Sequence, residues 1–418
     1  MAKAVLTNPP TRVSILFNPV KGQPVNDTTT SSSVTTNPFD RRRTFALSLY
    51  MTLVGYSVLV ALPAINSAWV AQLGFTEVQV NRVASADLLG LFLGSVATSF
   101  LIRTGNRRFI IYTGIGLAII ANGLCMVFVD YQGTLLLRVG AGFGSGLYTA
   151  VAVAGLGACS KPREAFNWML LAFAISQFLE LQLIPHLTMN EIYGFFIATY
   201  VVTLPFVHWM PAREAEKINA DAAATERVQR PPVVAWIGVF AIVIAYINIG
   251  AYWSNIELAA QAGGLDGAWA SQVVAWSVLL SFFGCFGAMF VLRKFDYDRP
   301  LIFTFCLMVL AVGLLAIEVT AAIFVFSVAA FNFLWIFIDV YQMGGVSVTD
   351  RSGSAAAFIP GAQGLGQMLG PLAASFILDA GWGFDAVFVL CAIAAALALM
   401  IYGLIYIKYR HISVAGSH

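Results

Sequence analysis

Twelve long runs of apolar sequence, each about the length a helix needs to cross a bilayer, decide what this chain can become. A helix rises ~1.5 Å per residue and the hydrocarbon core is ~30 Å thick, so roughly 20 residues span it. Runs of that kind lie at 45–68, 84–102, 108–128, 132–157, 165–187, 191–210, 233–257, 270–292, 300–318, 321–344, 353–378 and 384–407. Only 11% of the residues are charged, against about 25% in soluble domains, so a chain like this cannot keep a soluble surface wetted. The expected fold class is an all-α membrane protein with twelve transmembrane helices.

Charge placement then sets the orientation. Lys and Arg gather in the N-terminal tail, at 103–108, 161–163, 213–230 and 293–299, at Arg351 and at 408–410, all on alternate connections. The opposite connections hold Arg82 alone. The positive-inside rule places both termini and the long middle loop in the cytoplasm, and an even number of spans agrees with that. Residues 1–43 are polar and end in "DRRR", without the short apolar core of a secretory signal; they read as a disordered cytoplasmic tail. The charged stretch 211–232 reads as a cytoplasmic linker. It divides the chain into an N-terminal six-helix bundle at 44–210 and a C-terminal six-helix bundle at 233–408, followed by a short tail at 409–418.

Soluble-enzyme chemistry has no foothold here. The four histidines (His186, His208, His411, His418) lack metal-ligand spacing, and no glycine-rich loop ends in Lys-Ser/Thr, so nucleotide hydrolysis is excluded. The five cysteines stand singly among apolar residues and read as packed thiols. No metal and no cofactor is expected.

Six plus six spans with cytoplasmic ends and a charged central loop resemble the major facilitator superfamily. Two motifs carry the resemblance. The turn "FLIRTGNRRFII" after span 2 is similar to that superfamily's loop signature, with Arg103, Gly105, Arg107 and Arg108 matching and Ile102 in place of the usual Asp. In span 4, "LRVGAGFGSG" places Arg138 and Gly142 on the Arg-x-x-x-Gly element. The resemblance implies two six-helix bundles rocking about a midplane site, a cytoplasmic gate at the loop signature, and a cavity lined by spans 1, 4, 7 and 10 with help from 2, 5, 8 and 11. The Gly-Pro pair that antiporters of the superfamily often carry in span 5 is missing from "AFNWMLLAFAISQFLELQLIP", which tilts the reading from export toward uptake.

Ionisable groups at membrane depth cost roughly 2.5–3.5 kcal/mol each on insertion scales, so the few present mark candidate sites: Asp87, Arg138, Glu180 and Asp339, with Glu257 and Glu318 nearer span ends. In "FNFLWIFIDVYQM", Asn332, Trp335, Asp339 and Gln342 step by three, four and three and share one helix face. That stripe predicts a cavity wall with Asp339 as a partner of the solute. Glu180, one turn after Ser176 and beside Gln177, is the candidate proton carrier, and Arg138 is the cation expected to neutralise it or a substrate anion. In span 7, Asn248, Tyr252 and Asn255 step by four and three, Asn248 and Tyr252 being ligand candidates, while Trp253 reads as an interfacial belt residue. Span 11 puts Gln363 and Gln367 on one face of a helix loosened by Pro360, Pro371 and several glycines. The glycines of span 4 read mostly as close packing.

These observations lead to the expectation of a secondary transporter for a small polar or amphipathic organic solute, coupled to protons by symport, acting as a monomer in a bacterial inner membrane. Its partners would be the solute, protons and the lipid bilayer, with no nucleic acid. The alternatives are a proton-driven exporter of drugs or lipophilic compounds, and a non-transporting membrane sensor or scaffold.

Overall fold

A computed structural model of the chain describes residues 37–212, 233–292, 294–295, 298–349, 355 and 358–409. The tail before residue 37, residues 213–232 of the linker, Arg351 and the C-terminal segment after residue 409 lie outside the described residues.

A backbone in hydrocarbon must pair its own N–H and C=O groups, which a helix does within one segment. Among the described residues every element is helical. Span 1 is Arg42–Val60 continued by Leu62–Leu73, and spans 2 to 6 are Glu77–Thr104, Arg107–Cys125, Tyr131–Gly157, Pro162–Leu183 and Met189–Thr203. Span 7 is Val233–Ala262, span 8 is Gly267–Ser277 continued by Leu280–Leu292, and spans 9 to 12 are Asp298–Gly313, Ala321–Thr349, Ile359–Asp379 and Gly383–Tyr409. Eleven of the passes are long and apolar enough to cross a membrane by composition. The remaining one, span 11, has the length at 21 residues, but its glycines, prolines and glutamines dilute its hydropathy.

The connections divide between two ends. One end, called the basic end below, holds the turn at 105–106, the turn at 158–161 and the start and finish of the linker. At the opposite end the turns are short and chemically marked. Gly74 and Gly264 end spans 1 and 7 at φ +69° and +81°, a left-handed conformation that favours glycine. The helices that return from this end are capped by side chains: Thr76 and Thr188 form capping boxes with Gln79 and Glu191, and Asp130 and Asp266 accept from the backbone N–H groups of Gly133 and Trp269.

Residues 37–43 are part of the fold rather than of the tail to which the sequence assigned them. Asn37 caps a turn at Pro38–Asp40 and donates to the Ala158 carbonyl at 2.8 Å, Asp40 accepts from Ser160 N at 2.7 Å, and Phe39 is buried. The short apolar and polar side chains here find partners in the turn between spans 4 and 5, which a composition reading cannot see.

Backbone-to-backbone contact holds each bundle. A Cβ on Gly142 of span 4 would lie 2.0 Å from the Asp87 carbonyl of span 2, and one on Gly94 of span 2 would lie 2.2 Å from the Phe143 carbonyl. Spans 7 and 11 meet the same way, a Cβ on Gly250 falling 2.4 Å from the Gln367 carbonyl. Removing side chains at such crossings lets helices approach where van der Waals contact, rather than a hydrophobic drive, is the source of attraction.

Candidate transport site between the bundles

Pro63 shapes the centre of the molecule. It lacks an N–H, so the Leu59 carbonyl one turn earlier loses its helical partner and span 1 breaks at Ala61. The indole N–H of Trp253, on span 7 of the other bundle, donates to that freed carbonyl at 3.1 Å. Trp253 is 1% exposed. The interfacial-belt expectation for it fails: the polar edge of the ring is used across the bundle interface instead of at the membrane surface.

A row of further bonds between the bundles continues from there toward the end away from the basic loops. Asn66 Nδ2 donates to the Ser254 carbonyl at 2.7 Å, and Ser67 Oγ donates to Glu257 at 3.1 Å. Asn81 and Asn255 exchange amide hydrogen bonds at 2.6 and 2.9 Å. Gln182 and Gln272 do the same at 3.0–3.1 Å. Arg82 pairs with Asp379 at 2.8 Å. These bonds all lie at or beyond the middle on that side. Toward the basic end a cleft of about 370 Å³ separates span 5 from spans 8 and 10, lined by Gln177, Phe173, Asn167, Ser281, Cys285 and Ile336 among others. The end away from the basic loops is therefore closed by side-chain bonds, and the cleft lies on the other side of them.

The span 10 stripe divides along its length. Asn332, fully buried, donates through Nδ2 to Ser277 Oγ at 2.9 Å and its backbone carbonyl accepts from Ser281 Oγ at 3.2 Å, clamping the break in span 8. Gln342, also buried, lies beside the Tyr402 hydroxyl of span 12 without a well-formed hydrogen bond. The middle pair faces the interface. Tyr246 donates to Asp339 Oδ2 at 2.7 Å and accepts from Gln363 Nε2 at 2.7 Å. Asp339 Oδ1 is buried with no hydrogen-bond partner, and so is Trp335 Nε1, although the indole lies close to both Asp339 and Tyr246. Trp335 stands 6.0 Å from Trp253 between ring centroids, which puts the pair directly under the Trp253–Leu59 seal.

Glu180 sits on the opposite wall in a different setting. Ser57 of span 1 donates to Oε2 at 2.6 Å and Ser176 donates to Oε1 at 2.8 Å, with the residue 6% exposed. Gln177 is buried beside it, its amide 3.4 Å from the Val60 carbonyl. Tyr56, next to Ser57, packs edge-on to Phe173 at 5.9 Å.

The expected pairing of Arg138 with Glu180 does not occur. Arg138 donates to Asp87 Oδ1 and to Asn122 Oδ1, both at 2.8 Å, inside the N-terminal bundle. Its side chain is 2% exposed, and the adjoining cavity measures about 10 Å³, on the scale of a single water. Depth alone did not separate Asp87 from Glu180 as partners, and the deciding fact is the close approach of spans 2 and 4 at Gly142, four residues after Arg138. Tyr252, another ligand candidate, is packed within the C-terminal bundle, its ring stacked on Phe331 at 3.9 Å and its hydroxyl 3.0 Å from Ser327 Oγ. Asn248 is buried with Oδ1 unpartnered, and Gln367 is buried where spans 7 and 11 touch.

At the basic end, Gly105 fits a site where a Cβ would lie 2.6 Å from the Leu101 carbonyl. Asn106 caps span 3 by accepting from Arg108 N at 3.0 Å. Arg108 donates to the carbonyls of Met210 and His208, each at 2.7 Å, and Arg107 lies buried over the Phe39 ring at 4.8 Å. These are helix-end and aromatic contacts within one bundle. The Arg103 side chain lies outside the described residues.

The sequence pattern of a family described as "MFS_4: Uncharacterised MFS-type transporter YbfB" matches residues 51–403. Solved structures with the same fold include the nucleoside transporter NupG, at TM-score 0.66 and 11% identity over 88% of this chain and 98% of that one. A D-xylose-proton symporter has TM-score 0.66 and 15% identity over 86% and 96%. The POT family transporter PepTSo has 0.68 and 12% over 88% and 98%. None of the curated proteins matches the sequence.

Proposed function

Since the chain belongs to the MFS_4 family of MFS-type transporters, we propose that it carries a small polar or amphipathic organic solute by alternating access, with protons moving in symport. One observation carries this reading. Asp339 Oδ1 and Trp335 Nε1, an acceptor and a donor close to one another, lie buried without a well-formed hydrogen bond, beneath the Trp253–Leu59 seal. A buried polar atom left unpaired costs roughly 1–3 kcal/mol, a cost that a bound solute offsets by supplying the missing bonds. Glu180 is the proton carrier on this reading: Ser57 and Ser176 donate to its two oxygens and hold the ionised carboxylate in place at the interface. The charge pattern supports a cytoplasmic basic end, and with that orientation this arrangement is the inward-facing one. On this reading the protein works as a monomer in the inner membrane.

The aromatic and aliphatic lining of the cleft, with Phe173, Phe282 and Phe286, supports a second reading, export of lipophilic compounds. Solute flux into proteoliposomes under an imposed pH gradient separates the two: symport drives solute with the protons, export drives it against them. The orientation has its own test. A cysteine introduced near Lys161 should resist membrane-impermeant thiol reagents in intact cells and one near Asp266 should react; labelling at both would refute the topology.

A further inference from the structure

We infer that the solute is an organic cation carrying at least one N–H, such as a protonated amine, with Asp339 as its counter-charge; this rests on the reading of the cleft as the transport path. The argument begins from the inventory of charge. Three carboxylates lie along the interface: Glu180 from span 5 and Asp339 from span 10 near its middle, and Glu257 from span 7 within the closed end, where it accepts from Ser67. The one cation at comparable depth among the described residues, Arg138, is enclosed in its own bundle with Asp87 and Asn122. Every other described Lys, Arg and His side chain sits toward one of the two ends of the molecule. An anionic solute entering the centre would meet two carboxylates and no compensating charge, in a setting where uncompensated charge is expensive. A cation meets its complement.

The unpaired atoms narrow the class further. Asp339 already accepts from Tyr246 at Oδ2, which leaves the buried Oδ1 as an acceptor that only a donor can satisfy. An ammonium N–H is such a donor and makes the bond charge-assisted. The neighbouring Trp335 Nε1 lies close to Asp339 and Tyr246 without a well-formed hydrogen bond, a donor suited to an oxygen near the amine. Aromatic rings surround the position: Trp335 and Trp253 on one side, Tyr56 edge-on to Phe173 on the other. Their faces attract a desolvated cation. The cleft between span 5 and spans 8 and 10, which Ile336 of span 10 helps to line, has a volume of about 370 Å³, enough for a small molecule.

The test uses three probes of one shape and different charge: 2-phenylethylamine as the ammonium, 2-phenylethanol as the neutral form and 3-phenylpropanoate as the anion. Their binding to the full chain in lipid nanodiscs is measured by calorimetry. The amine should bind at least about tenfold more tightly than the alcohol, and the carboxylate should not saturate. In D339N the preference for the amine should vanish. The wild-type ratio decides the matter even if D339N fails to fold. If the alcohol or the carboxylate binds as tightly as the amine, and D339N weakens it, the site stands and the cation assignment is wrong. If none of the three saturates on folded wild-type protein, the cation assignment is overturned; solute flux in proteoliposomes then tests the transport reading separately.

Discussion

Glu180 and Asp339 are buried carboxylates contributed by opposite bundles, and their surroundings differ. Both oxygens of Glu180 accept a serine hydroxyl. Asp339 has one oxygen bonded to Tyr246 and one buried without a partner. A carboxyl group whose hydrogen bonds are complete is held in one geometry and has little left to offer a ligand beyond its proton. One with a buried free acceptor is incomplete until something arrives. The difference assigns proton handling to the first and solute contact to the second. A third carboxylate, Asp87, sets the limit of the comparison, since Arg138 compensates it fully within one bundle.

The largest effect should come from breaking that third case. R138A leaves Asp87 buried without its cation, and removing one partner of a buried pair costs about 3–5 kcal/mol. The purified variant should melt far below the wild type, and the double replacement of Asp87 by Leu and Arg138 by Met should recover most of the loss. A small melting shift in R138A would place Arg138 in the transport machinery instead of the framework. D339N comes next: it keeps the shape and removes the charge, so solute affinity should fall by about 1.5–3 kcal/mol, roughly ten- to a hundredfold, with little change in melting. Unchanged affinity would remove Asp339 from the solute site and erase the contrast with Glu180. The smallest effect belongs to the seal above them. W253F deletes the donor to the Leu59 carbonyl and should weaken closure by about 0.5–1.5 kcal/mol. Cysteines placed at Asn66 and Ser254 report closure through their cross-linking yield, which should drop in W253F; a constant yield would mean that this bond does not help hold the bundles together.

Much of the architecture was legible because it follows from length and charge. Span count and alternation of basic loops depend on local composition, and the helices fall where the apolar runs lie, with the division of span 1 at Pro63 unforeseen. The site was legible only in part. Helical periodicity correctly put Asn332, Trp335, Asp339 and Gln342 in one stripe, but a stripe about ten residues long passes several neighbours. Its ends face spans 8 and 12, and only Trp335 and Asp339 reach the interface. Arg138 was misdirected toward Glu180 because depth along a helix says nothing about which neighbour is close; the glycines at 90, 94, 142 and 146 mark spans 2 and 4 as that close pair. Trp253 was misread because its type suits both a membrane surface and a buried donor. The clue was Pro63, which creates an acceptor in need of one. The Asn81–Asn255 clasp joins residues 174 positions apart, a relation no local pattern encodes.

The division of labour between the two carboxylates is tested most directly by measuring solute exchange and proton-driven accumulation in proteoliposomes for E180Q and D339N side by side. Gln at 180 mimics the protonated side chain, so E180Q should exchange solute at close to the wild-type rate and fail to accumulate it against a gradient. D339N should lose affinity in both assays together. If E180Q still accumulates solute, or if D339N alone loses accumulation while keeping exchange and affinity, the assignment drawn from their hydrogen bonds is wrong.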